Sequence, residues 1–114
     1  MSVKEALDSD MGVDEEPLAS FGFEAEIIHW QGPPPYLFVP IPEHHVGEVR
    51  YAAPLVSYGW GMIPVEAEID GVAFRTSLFP RDGTYLLPVR AAVQRSADLA
   101  LGDRVQVLMR IDSR

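Results

Sequence analysis

The chain consists of two similar halves, and this doubling constrains its fold more than any other feature. From Phe21 onward the pattern predicts strand, strand, short helix and strand, first over residues 21–70 and again over residues 72–111. Residues 36–40 (YLFVP) are similar to residues 85–88 (YLLP), and a predicted helix follows each segment. Closing six short strands into a barrel leaves no exposed sheet edge. We therefore predict a mainly β, closed six-stranded barrel built from two β-β-α-β units, double-psi-like, with two short helices.

Local patterns place the individual elements. Apolar and polar residues alternate in Phe21–Trp30 and Met62–Asp70, as in half-buried strands. Asp70-Gly71 predicts a two-residue hairpin, because both central positions of that turn favour positive φ. Pro80–Gly83 predicts a second turn, with Asp82-Gly83 at its tip. Residues 52–61, which contain Pro54, are predicted to be irregular. The predicted strands are 21–30, 36–40, 62–70, 72–79, 84–89 and 104–111, and the predicted helices are 42–51 and 90–97.

Acidic residues are concentrated at the N-terminus. The chain has a net charge of −8, and residues 1–20 contain one lysine against six acidic residues, a charge of −5. This stretch has no aromatic residue, so we predict a disordered acidic leader over 1–20 and a single β-barrel domain over 21–114. The domain's eight arginines are outnumbered by eleven acidic residues and are spread along the chain. We therefore predict no nucleic-acid partner.

Other composition features exclude several classes of protein. The absence of cysteine excludes disulfides and thiolate metal sites. No apolar run approaches the roughly 20 residues of a membrane helix, and residues 1–20 lack the hydrophobic stretch of a secretory signal. The sequence predicts a cytoplasmic protein, a monomer or weak homodimer, with no membrane partner.

Several motifs occur in an order that is typical of one protein family. They are residues 59–61 (GWG), 76–80 (TSLFP), 83–89 (GTYLLPV) and Gly102-Asp103 before the last strand. The stretch Phe23–Ile111 resembles the bacterial and archaeal family catalogued as domain of unknown function 1905. The resemblance implies a compact six-stranded barrel and no established activity. Some members are fused to a bacteriocin-protection type domain, which implies a module role.

No complete catalytic set is present in the sequence. Barrels of aspartic proteases need Asp followed by Thr or Ser and then Gly from each half, but Asp70-Gly71 lacks the hydroxyl residue and residues 82–84 (DGT) have the wrong order. The Gly-Ser dipeptide of a self-processing decarboxylase is absent, and so is the Gly-x-Ser-x-Gly elbow.

Three potential metal ligands lie close together in the first predicted helix. His44, His45 and Glu48 are ligand types that zinc accepts, but a zinc site normally needs a further histidine or cysteine nearby. The remaining histidine, His29, belongs to a different predicted strand. A solvated helix face is therefore favoured, and we predict no metal and no cofactor.

The best candidate binding residues are two aromatics in a glycine-containing loop. Tyr58 and Trp60 flank Gly59, and large aromatics in such a loop can form part of a ligand site. Arg75 and Arg50 would make an anion-accepting corner if they point towards this loop. The alternative is that Trp60 packs over the core as a lid and that Arg75 is a surface charge.

Three functions remain open. The first is a non-catalytic module that binds a small ligand or a protein through the Tyr58–Gly61 loop. The second is a small enzyme whose site lies on the second half and uses Arg75, Ser77 or Tyr85. The third is a swapped-hairpin DNA-binding regulator, because Leu99–Val105 resembles the strand entry of that class, although the acidic balance argues against it.

Overall fold

The fold is mainly β, with seven strands and two helices in the part of the chain that the structure describes. The structure is a computed structural model that describes residues 16–29 and 37–113. The elements are, in chain order, β1 (Ala19–Glu26), β2 (Ile28–His29), β3 (Leu37–Pro40), α1 (Glu43–Val56), β4 (Ile63–Ile69), β5 (Val72–Arg81), β6 (Thr84–Val89), α2 (Ala91–Ala97) and β7 (Arg104–Ile111). The predicted mainly β class with two helices is confirmed.

The strands form one curled sheet in the shape of a half-barrel. Their order is β1-β7-β4-β5-β6-β3-β2, and every neighbouring pair is antiparallel. β5 continues around a bend, since Leu78 pairs with β4 whereas Phe79 pairs with β6. The described sheet has seven strands where six were predicted, because residues 19–29 form two strands that pair with different neighbours. This hydrogen-bonded order is linear and does not establish a closed barrel, and the structural equivalence of the two halves stays a prediction.

Ile27 separates β1 from β2. β1 pairs with β7 and β2 pairs with β3. The Ile27 N–H donates to the Asp103 carbonyl at 2.9 Å, and the Ile27 carbonyl accepts from the Gly102 N–H at 2.9 Å. The side chain of Ile27 is fully buried, but beyond it the predicted alternation changes, because Ile28 is half-buried and His29 is exposed. The chain therefore bends at Ile27 while both of its backbone polar groups stay satisfied.

The predicted hairpin turns are present. Asp70 and Gly71 have φ of 48° and 91°, and Asp82 and Gly83 have φ of 51° and 81°. Positive φ at both central residues is the geometry that suits the right-handed twist of two-residue hairpins. Asp70 also holds the first hairpin against β7, because its N–H donates to the Gln106 carbonyl and its Oδ1 accepts from the Gln106 N–H, each at 3.0 Å.

Helix α1 is longer than the sequence predicted. It ends at Val56 rather than at residue 51, and it contains Pro54. Val49, Ala52 and Val56 are buried along one face, so the apolar stripe continues past the proline. Pro54 itself is exposed and lies in the last turns of the helix. Packing of Val56 thus outweighs the backbone hydrogen bond that Pro54 cannot donate.

The first strand begins two residues earlier than predicted, at Ala19 rather than at Phe21. Just before it, the Leu18 N–H donates to the Ile111 carbonyl at 2.7 Å. Most of the predicted leader, residues 1–15, lies outside the described residues, as do Trp30, the predicted proline loop that follows it and Tyr36.

The core lies inside the curled sheet and under the helices. Helix α1 contacts β1, β4 and β6, and α2 contacts β5. The largest fully buried side chains are aliphatic, with Ile63, Leu78 and Leu87 among them, and no polar or charged residue is buried in the described ranges. No helix in the described part of the chain is long and apolar enough to cross a membrane.

We expect Ile27→Ala to lower the free energy of unfolding by about 2–5 kcal/mol, because it removes a fully buried side chain at the bend and leaves a cavity. Ile28→Ala is the matched control, since Ile28 is half-buried, and it should cost clearly less. Urea denaturation followed by circular dichroism measures both values. Equal losses for the two variants would contradict the role assigned to Ile27.

Candidate functional site

A short loop connects α1 to β4 and is closed by its own backbone hydrogen bonds. Tyr58 and Met62 form an isolated antiparallel bridge, in which each N–H donates to the other residue's carbonyl at 2.9 Å. The Gly61 N–H donates to the Tyr58 carbonyl at 3.1 Å. Gly59 and Gly61 have φ of 57° and 92°, which other residues rarely adopt. These features fix the path of the three residues between Tyr58 and Met62.

The loop is also attached to β5 at two points. The Tyr58 hydroxyl and the Ser77 hydroxyl are hydrogen-bonded at 2.7 Å. Gly61 lies against the Pro80 ring, and a Cβ at Gly61 would be only 3.3 Å from Pro80 Cγ. The loop is therefore supported by the sheet as well as by its own bridge.

Trp60 stands at the tip of this loop and points into solvent. Its side chain is 92% exposed. The alternative interpretation from the sequence, in which Trp60 covers the core as a lid, is wrong. Large aromatic side chains gain more free energy from burial than most others, so the exposure of this tryptophan on a hydrogen-bonded loop needs another explanation.

Exposed apolar side chains are concentrated next to this loop. Of the six large hydrophobic residues that are exposed in the described ranges, four lie within residues 51–60. Tyr51 and Leu55 are exposed on α1, where their spacing of four residues places them on one helix face. Tyr58 and Trp60 follow in the loop. Sequence reasoning missed Tyr51 and Leu55, because the helix was expected to end at residue 51.

A groove of about 540 Å³ lies beside the loop, and we call it the Tyr58 groove. It is lined by Tyr58, Pro64 and Thr76, and by two ion pairs. Arg75 contacts Glu66 at 3.0 Å, and Arg110 contacts Asp112 at 2.7 Å. The charges of these two pairs cancel. The hydrogen bond that Arg110 Nε donates to Asp112 Oδ1, and then the negative charge of Asp112, raise the pKa of the Arg110 guanidinium.

A second groove, of about 700 Å³, lies on the outer face of the same part of the sheet. Arg110, Glu66 and Arg75 are in register across β7, β4 and β5 and line both grooves. The next row contains Gly22, Leu108 and Ala73. The absence of a side chain at Gly22 leaves room for Leu108, since a Cβ there would be 2.9 Å from Leu108 Cδ2.

The structure brings three of the four predicted site residues into one region. Tyr58 and Arg75 line the same groove, and Trp60 follows Tyr58 by two residues. Arg50 belongs to a different depression, between α1 and the β5–β6 hairpin. There its guanidinium donates to the Gly83 carbonyl at 2.9 Å.

The residues named for a catalytic site are engaged elsewhere. Arg75 is paired with Glu66, and the Ser77 hydroxyl is bonded to Tyr58. Tyr85 is only 9% exposed and belongs to the apolar core.

The histidines of α1 have structural contacts. His45 stacks on Phe21 with ring centroids 4.3 Å apart, and its Nδ1 contacts a carboxylate oxygen of Glu48. His44 lies beside the ring of His45. Within residues 16–29 and 37–113, no group of three or more metal-ligating side chains is close enough together to hold an ion.

The chain matches one family model. The model described as Domain of unknown function (DUF1905) matches residues 23–109, which is more than half of the chain. The chain therefore belongs to this family, and the resemblance seen in the sequence is confirmed. No curated protein matches the chain.

We expect the hydroxyls of Tyr58 and Ser77 to stabilise the loop jointly, because a hydrogen bond near the surface contributes about 0.5–1.5 kcal/mol. In a double-mutant cycle of Tyr58→Phe and Ser77→Ala, the interaction energy should be about 0.5 kcal/mol, at the low end because both groups contact solvent. Urea denaturation measures it. As a control, Tyr51→Phe replaces Tyr58→Phe in the cycle, and its effect on stability should simply add to that of Ser77→Ala. If the effects of Tyr58→Phe and Ser77→Ala were also additive, the hydrogen bond between the two hydroxyls would not contribute to stability.

Proposed function

We propose that this member of the DUF1905 family is a non-catalytic interaction module that presents Trp60 to a protein partner. The observation that carries the proposal is the 92% exposure of an indole on a loop that is closed by three backbone hydrogen bonds and attached to β5. Binding to such a loop requires little ordering of the chain, so less of the interaction energy is lost as conformational entropy.

The shape of the site favours a protein over a small ligand. Small-molecule sites are concave and enclose most of the ligand's surface, whereas Trp60 stands out from the surface. A protruding tryptophan is the type of residue that fills an apolar pocket of a partner, and tryptophans are enriched among the residues that dominate interface energies. The Tyr58 groove beside the loop would then receive side chains of the partner.

The neighbouring apolar residues widen this surface. Tyr51 and Leu55 are 65% and 57% exposed on the part of α1 that leads into the loop. Aromatic and aliphatic groups of this size rarely cluster on a solvent-exposed surface without a binding role. We therefore include them in the proposed interface, with Trp60 as its principal anchor.

A closed barrel would provide the rigid support that this module needs, and we propose that the sheet closes at Ile27. Two facts support this: β1 and β2, the two ends of the strand order, are separated by Ile27 alone, and both polar groups of its backbone are bonded to residues 102–103. On this proposal, β1 and β2 act as one bent strand, and the barrel has six strands.

The test places a photo-crosslinking amino acid, p-benzoylphenylalanine, at position 60 of the full chain in its native cells. Leu101 is the matched control position, because it is also a large exposed apolar residue, 61% exposed, in a different turn. We expect a crosslinked protein of one defined mass from position 60 and none of that mass from position 101.

The crosslinked protein is then purified and titrated with the chain by calorimetry. Replacing a central interface tryptophan typically costs 2 kcal/mol or more, so Trp60→Ser should weaken the dissociation constant by at least about 30-fold. Leu101→Ser should leave it unchanged. Equal affinity of wild type and Trp60→Ser would overturn the proposal, and a small molecule that shifts the NMR signals of the Tyr58 groove without any protein adduct would indicate a ligand-binding module instead.

A further inference from the structure

We infer that the partner of Trp60 is a second copy of this chain, and that two copies insert their Trp60 side chains into each other's Tyr58 groove. The inference rests on the proposed function, because it names the partner of the same loop. It follows from the relative position, the shape and the charge of the loop and the groove.

The protruding residue and the groove are neighbours on one surface. Tyr58 and Pro64 line the groove, and they precede and follow Trp60 by two and four residues. Since two extended residues span at most about 7 Å, the Cα of Trp60 lies within that distance of the Cα of Tyr58. In a two-fold dimer the same patch meets itself. Trp60 of one copy can therefore enter the Tyr58 groove of a second copy, while Trp60 of the second copy enters the Tyr58 groove of the first.

The same adjacency predicts that assembly stops at two copies. A protruding residue and a groove on opposite faces of a molecule would join copies head to tail and produce an open chain. When Trp60 and the Tyr58 groove lie on one face, a single interface between two copies uses the Trp60 and the groove of each. No Trp60 is left to recruit a third copy.

The groove has the size and the lining that an indole needs. Its volume of about 540 Å³ lies within the range of about 300–1,000 Å³ that holds small organic groups in proteins. Tyr58, Pro64 and Val65 contribute the apolar part of its lining, beside the paired charged residues. The hydroxyl of Tyr58 is already bonded to Ser77, so its ring is held in place before the second copy arrives.

The local charge does not oppose contact at this surface. Two copies that each carry a net charge of −8 repel each other. The walls of the Tyr58 groove are neutral, because Arg75 is paired with Glu66 and Arg110 with Asp112. Copies that approach through this patch avoid a direct repulsion, and each arginine can also face a carboxylate of the other copy.

The dimer should be weak. Two tryptophans bury about 300–500 Å² together, whereas stable interfaces bury at least about 1,200 Å². Even with added contacts from neighbouring residues, we expect a dissociation constant on the order of 0.1 mM.

Sedimentation equilibrium of the full chain from 10 µM to 1 mM tests the inference. The wild type should shift from the mass of one chain towards the mass of two, and no further. Trp60→Ser removes the inserted side chain, and Thr76→Arg fills the Tyr58 groove. Each variant should weaken dimerisation at least about 10-fold. Leu101→Ser is the control and should dimerise like the wild type, and circular dichroism confirms that each variant is folded.

Three results would overturn the inference: a wild type that stays monomeric at 1 mM, dimerisation that survives both Trp60→Ser and Thr76→Arg, or assembly that continues beyond two copies. The outcome is separable from that of the proposed function. A monomeric chain that still crosslinks through position 60 to a different protein would reject the second copy and support the interaction module. An adduct with the mass of two chains would support both.

Discussion

The position of Trp60 depends on the close approach of Gly61 to Pro80. Gly61 has a positive φ, and a Cβ there would lie only 3.3 Å from the Pro80 ring, a tight contact. Pro80 pairs with Tyr85 in the β5–β6 ladder, and Tyr85 is part of the core. The loop therefore rests on a strand pair that is itself fixed by buried packing. Any larger residue at position 61 would combine backbone strain with a tight contact to the Pro80 ring, and the backbone that carries Trp60 would have to shift.

Under the proposed function, this arrangement gives up stability in favour of binding. The interior is filled by aliphatic and aromatic side chains without a buried polar residue in the described ranges, so the fold does not need Trp60 for its core. Exposing an indole gives up the free energy that its burial would contribute, while the bridge between Tyr58 and Met62 and the bond to Ser77 keep the loop ordered. A surface that is both apolar and ordered is suited to recognition, because the partner supplies the missing burial and little conformational entropy is lost.

Much of the fold follows from sequence patterns that act locally. The alternation in β4 and the boundaries of β6 and β7 agree with prediction, and so do the turns at Asp70-Gly71 and Asp82-Gly83, because pleat and turn geometry are determined by neighbouring residues.

Other features depend on contacts between residues far apart in the sequence. The predicted end of α1 was wrong, since burial of Val56 is a tertiary effect that overrides the local preference of Pro54. The break between β1 and β2 at Ile27 was missed for the same reason. Ile27 fits the alternation of apolar and polar residues in the predicted strand, and only its hydrogen bonds to residues 102–103 reveal the bend. In the site, the glycines around Trp60 indicated an aromatic loop, but the exposure of Trp60 and the separation of Arg50 from Arg75 depend on tertiary packing that the local sequence does not reveal.

The central claim is that the backbone of the Tyr58–Met62 loop is rigid and keeps Trp60 exposed. The most direct measurement is ¹⁵N relaxation of the full chain at a concentration low enough to keep it monomeric, with order parameters for the backbone amides of Gly59, Trp60 and Gly61. Values near 0.85, equal to those of the rigid backbone in the strands, are what the account predicts. Values below about 0.6 would show a flexible loop and would contradict it.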